Sequence, residues 1–140
     1  MTKYQPKPPP SPEKLASANT EGAHQTALMA QVALHLKEMP ELIMLYAIPN
    51  GDERNSIVAS KLKGQGVKAG VPDLFLPVAR GGKHGLYIEM KLAKYRNRKN
   101  GGCSEQQLRW HKMLKEQGYG VAMGYTWQEA FDIIVMYYNS

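Results

Sequence analysis

The chain has 140 residues, 43% hydrophobic and 21% charged, and its 18 lysines and arginines against 12 acids leave a net charge of +6. That length buries one modest core, while no apolar run nears the 18 or so residues that span a bilayer and no hydrophobic leader opens the chain. The single cysteine, Cys103, excludes an internal disulfide and a cysteine-based zinc site, and suits a reducing cytoplasm.

Five prolines among the first twelve residues, with no helical or alternating pattern, predict a disordered or extended tail over residues 1–20 and a folded domain over 21–140. From Thr20 to about Glu38, Leu28, Val32 and Leu36 recur at four-residue spacing, which predicts a helix. "LIMLYAI" (Leu42–Ile48), closed by the turn residues of "PNG", reads as a buried strand, and Arg54–Lys63 as a short helix ending in the glycines of "GQG". "DLFLPV" and "LYIEMK" read as two strands around the turn-rich "ARGGKHG", with Pro77 at the first strand's far end because it has no ladder donor. A helix is expected from Ser104 to about Gln117, stopped by Gly118. A strand "YGVAMGY" follows, then a last helix opening on Thr126 and Glu129 at capping-box spacing. The order α-β-α-β-β-α-β-α is that of an α/β sandwich.

The net charge and a pI near 9.4 fit a polyanionic partner, and equally fit solubility alone. Clustering separates the two. "KLAKYRNRK" holds Lys91, Lys94, Arg96, Arg98 and Lys99 around Tyr95 without one acid, which suits phosphate contact and base stacking.

Alternation along a strand puts Tyr87, Glu89 and Lys91 on one face and Leu86, Ile88 and Met90 on the other. A hairpin centred near Gly81 sets Asp73 opposite Glu89, where paired Cβ atoms lie roughly 4.5–5.5 Å apart. Two carboxylates that close repel unless a cation sits between them, and a hard ion with oxygen ligands such as Mg²⁺ fits. Lys91 then adds a point charge that orients or deprotonates a water, or neutralises a phosphate. Glu21 and Gln25 continue the Leu28–Val32 stripe of the first helix, so Glu21 either emerges into solvent or enters a polar cavity. Gln107 shares a stripe with Trp110, His111 and Leu114, yet also stands at capping-box spacing from Ser104. His24, His35, His84 and His111 form no zinc-spaced pair and are read as packing or surface residues.

Pro72-Asp73 followed by Glu89-Met90-Lys91 resembles the PD-(D/E)XK nuclease signature, and the wider pattern resembles its VRR-NUC branch in the standalone, phage or bacterial form. The shared features are Glu21-x-x-x-Gln25, "IPNG" at Ile48–Gly51, "GVKAGVPDLFLP", "GLYIEMK", Ser104-x-x-Gln107-x-x-Trp110 and "EQGYGVAMGYTWQEA". The resemblance implies a restriction-endonuclease-like fold, a central mixed sheet flanked by helices. It implies Mg²⁺- or Mn²⁺-dependent cleavage of DNA, branched DNA such as four-way junctions included, by a homodimer in the cytoplasm of a bacterial host. Under it Asp73, Glu89 and Glu21 resemble metal-binding carboxylates, Met90 lends its carbonyl, Lys91 is the catalytic lysine and Gln107 borders the site. No role carries over to Lys94, Arg96, Arg98 or Lys99 individually. A non-cleaving module of the same fold is the competing class, with a flap nuclease or a ribonuclease beside it; intact Asp73, Glu89 and Lys91 argue against the first.

Overall fold

The computed structural model describes residues 2–50 and 55–140. Gly51 of "IPNG" and Arg54, the expected start of the second helix, lie outside them. The elements are α1 (Pro12–Leu15), α2 (Glu21–Ala33), β1 (Tyr46–Ala47), α3 (Ser56–Gly64), β2 (Leu74–Leu76), β3 (Leu86–Met90), α4 (Glu105–Glu116), β4 (Gly120–Gly124) and α5 (Trp127–Tyr138), with four 3₁₀ turns between them. The four strands form one mixed sheet in the order β1-β2-β3-β4. β1 and β3 both flank β2 antiparallel, whereas β3 and β4 run parallel. Parallel neighbours need a long crossover, and α4 supplies it.

The β2–β3 register pairs Leu74 with Ile88 and Leu76 with Leu86. The turn between these strands brings Arg80 opposite Lys83, with φ of +54° at Gly81 and +77° at Gly82. Two successive positive φ values are what a tight primed hairpin turn requires, and glycine meets them without a Cβ clash. Leu74, Leu76, Leu86, Ile88 and Met90 form one sheet face and pack with Ala27, Leu28 and Val32 of α2 and Trp127, Ala130 and Ile134 of α5. Each large side chain buried this way contributes about 1.5–3 kcal/mol.

A buried histidine ties the two helices on that face. His24 Nε2 bonds Asn19 Oδ1 at 2.9 Å, and its Nδ1 accepts from the Trp127 backbone N–H at 3.1 Å. Trp127 opens α5, so this N–H has no partner within the helix and the imidazole satisfies it.

Two expectations change. The apolar run Leu42–Ile48 is not a buried strand: Pro40–Met44 is a 3₁₀ turn, and only Tyr46–Ala47 extends, at the sheet's exposed edge. Pro40 supplies the fixed φ that starts the turn. Leu42 and Leu45, three apart, are buried while Ile43 is 72% exposed. Residues 12–18, expected within the tail, are helical. Ser11 caps α1 by accepting from Lys14 N, Pro12 is buried, and Ala16–Ala18 continues as a 3₁₀ turn before α2. Residues 2–10 carry no regular secondary structure.

Candidate active site

Extended beyond its last pair, Leu74–Ile88, the β2–β3 register sets Asp73 beside Glu89 and Pro72 beside Met90. Ile48 N donates to the Asp73 carbonyl at 2.8 Å, so the Asp73 backbone faces β1 and that of Pro72 faces β3. Pro72 has no N–H and therefore offers the Met90 carbonyl no ladder donor. The Met90 N–H is taken instead by the Asp73 side chain, whose Oδ2 accepts it at 2.7 Å. Proline thus ends the ladder where aspartate begins the site.

Glu89 is 1% exposed on the sheet face opposite the core, and α4 covers it. The two carboxylates are in hydrogen-bonding contact. Burial first, then that contact and the charge of Glu89, push the Asp73 carboxyl up to about 7 against the opposing pull of the Met90 N–H and Lys91. A pair so placed is one whose repulsion a cation relieves, and oxygen donors suit a hard ion.

His111 Nε2 lies 3.3 Å from Glu89 Oε1. Burial, with Lys115 and Lys91 adding to it, holds the His111 pKa below its ordinary value. The contact is therefore a neutral imidazole N–H donating to a carboxylate, not an ion pair. His111, expected as a packing or surface residue, stands one turn after Gln107 on the same stripe, and that spacing is the sequence signal for its place here. Cys103 has no expected role at the site. It is buried beside the cluster, where burial raises its pKa, and Glu89, Asp73 and Glu21 add to the rise. Those charges place Glu21, the first residue of α2, within electrostatic reach of the same centre, although its side chain is exposed.

Gln107 closes a complete capping box: its Oε1 accepts from Ser104 N at 2.8 Å, and its own N–H donates to Ser104 Oγ at 3.1 Å. The helix stripe still turns it towards β3, since His111, four residues on, touches Glu89.

The basic loop folds into two 3₁₀ turns, Ala93–Tyr95 and Lys99–Gly102. Arg96 is occupied by an ion pair with Glu129 and lies over the Tyr125 ring at 4.5 Å. Lys94 and Arg98 flank Tyr95, at 5.2 and 4.8 Å from its centroid, and Lys99 is exposed. A second basic surface adjoins the site. A cleft of about 540 Å³ between α3 and α4 is lined by Lys63, Lys68, Gln106 and Trp110 among others, with no acid among the described residues. Gly70, three residues before Asp73, packs on Gln106 and Trp110.

A mixed four-stranded sheet flanked by helices, with carboxylates, a lysine and an imidazole gathered at one end of β3, defines an α/β domain with a candidate metal centre. The VRR-NUC domain model matches residues 19–126, and the chain belongs to that family, a nuclease-type domain whose implied substrate is DNA. A solved structure described as a VRR_NUC domain protein is 27% identical, with a TM-score of 0.65 over 84% of this chain and 87% of the other. Among curated proteins nothing matches.

Proposed function

We propose that the chain is a metal-dependent endodeoxyribonuclease that hydrolyses phosphodiester bonds in branched DNA. The juxtaposition of Asp73 and Glu89 across the end of the β2–β3 ladder carries this reading. Asp73, Glu89 and the Met90 carbonyl would hold a Mg²⁺ or Mn²⁺ ion, with Glu21 as a further acid at the edge. Such an ion supplies Lewis acidity and a water of lowered pKa. His111 orients Glu89 by its hydrogen bond. Lys91 brings a positive charge to the reacting phosphate, neutralising the charge that develops on it. A two-fold homodimer would supply the second cut that symmetric cleavage of a four-way junction needs.

The test is a panel of duplex, flap, splayed-arm and four-way-junction DNAs incubated with the protein and Mg²⁺ or Mn²⁺. Faster cleavage of the branched members is expected; no cleavage of any member would leave a binding module. Solution mass measurement decides the dimer.

DNA affinity is expected to fall steeply with salt as Lys94, Arg98 and Lys99 displace phosphate counterions. Neutralising these three should flatten the log–log slope by roughly 0.9 per lost phosphate contact. Arg96 is left out because Glu129 already engages it. An unchanged slope would place DNA elsewhere on the surface.

Gln107→Ala and Ser104→Ala should each cost on the order of 1 kcal/mol of stability, since both break the capping box. Only Gln107→Ala is expected to slow cleavage further, because its side chain shares the stripe that contacts Glu89. Equal activity of the two variants after correction for folded fraction would reduce Gln107 to a cap.

A further inference from the structure

Three buried side chains of different chemistry converge behind the carboxylate pair. One ligand atom each from Glu89, Cys103 and His111 lie within 4.8 Å of one another. Their exposures are 1%, 7% and 7%. The Cys103 thiol makes a weak contact to Met123 Sδ at 3.7 Å. A cleft of about 420 Å³ lined by Leu108, His111, Lys112, Lys115, Glu116, Val121 and Met123 reaches the imidazole from solvent.

Thiolate and imidazole are poor ligands for Mg²⁺ and good ones for Zn²⁺ or Co²⁺. A tetrahedral zinc with sulfur at about 2.3 Å and nitrogen or oxygen at about 2.0 Å sets its ligand atoms about 3.3–3.5 Å apart. The Glu89–His111 pair is already at 3.3 Å. Closing the set therefore needs a shift of no more than about 1.5 Å in the thiol, a side-chain adjustment.

We propose that Glu89, Cys103 and His111 form a second metal site, for a thiolate-binding divalent ion of the Zn²⁺ class, and that its occupancy silences the nuclease by taking Glu89 from the hard-ion site. Coordination forms a sulfur–metal bond, and the thiol proton leaves to solvent. The three side chains donate one atom each, leaving the fourth position to water. Glu89 is common to both sites, so an ion that draws its carboxylate towards His111 and Cys103 competes with one held beside Asp73. The inhibitory half rests on the nuclease reading; the binding half does not.

The experiment titrates metal-free protein with Co²⁺, then with Zn²⁺, and separately measures Mg²⁺-supported cleavage against rising Zn²⁺. The expected result is a thiolate-to-cobalt charge-transfer band with tetrahedral ligand-field bands, both abolished by Zn²⁺. Cys103→Ser should lose the charge-transfer band, keep Mg²⁺-supported cleavage, and need roughly tenfold or more Zn²⁺ for half-inhibition. A wild-type Co²⁺ spectrum without the thiolate band overturns the proposal, whatever the variant's stability. So does equal Zn²⁺ sensitivity in a folded Cys103→Ser protein. A thiolate band in a protein that cleaves nothing with Mg²⁺ supports the site and removes the nuclease reading alone.

Discussion

Alanine at Asp73 or Glu89 is expected to reduce cleavage by on the order of 10³-fold or more, the factor that corresponds to losing several kcal/mol of metal-derived stabilisation. Asp73→Ala removes an acceptor from the Met90 N–H, at the end of a ladder rather than inside the core. Its fold should survive. Glu89→Ala leaves the buried His111 N–H without its carboxylate, so Glu89→Gln, which keeps an acceptor oxygen there, is the cleaner probe. Lys91→Ala should be similarly slow while metal binding persists, because lysine is no ligand. Single-turnover cleavage at saturating Mg²⁺ with a circular-dichroism melt measures both effects. Near-normal cutting by Asp73→Ala would sink the assignment.

The second large effect runs the opposite way: Asp73→Asn is expected to stabilise the metal-free protein above neutral pH. Folding raises the Asp73 pKa from the ordinary 3.8 to about 7. The folded state therefore binds a proton that the unfolded state has already released, and stability from this group, complete below pH 3.8, is lost as pH rises towards 7. At pH 8, above that value, Asp73 is charged beside the buried Glu89 carboxyl. Asparagine keeps an oxygen for the Met90 N–H and offers Glu89 a donor, recovering on the order of 2–4 kcal/mol. A melting temperature several degrees above wild type at pH 8, converging near pH 4, is the expected record. Added Mg²⁺ should raise the wild-type value and leave the variant's unchanged. A variant less stable than wild type at pH 8 would show that the pair carries no such strain.

Much of this geometry was legible because it depends on local rules. The Asp73–Glu89 pairing followed from counting outward from Gly81, since a tight turn fixes register and register fixes faces. Helix starts at Thr20, Ser104 and Thr126 were readable because each has a side-chain cap written into the sequence. "LIMLYAI" misled for a physical reason: a short apolar run has no period of its own, and Pro40 before it decides for a turn. In the tail, the density of prolines hid a plain helix start, Ser11-Pro12-Glu13. The His111–Glu89 contact spans 22 residues and the Arg96–Glu129 pair 33. Neither is local, so each needed the α4 crossover and the docking of α5 to become visible. A lone cysteine excludes a cysteine cluster but says nothing of a mixed donor set, which only the fold assembles.

The bond from Trp127 N to His24 Nδ1 joins positions 103 residues apart in the chain. His24 lies one turn after Glu21, so the segment that aims the first acid at the centre is anchored by the first residue of the last helix. During synthesis, α2, both hairpin strands and α4 are all made before that anchor exists. A chain stalled on the ribosome ahead of Trp127 holds Asp73, Glu89 and Lys91 but lacks this bond at the start of α2, where Glu21 stands. The docking of α5 is therefore the last step in fixing the end of α2 that carries Glu21, and any activity of the proposed centre that depends on this acid waits for it.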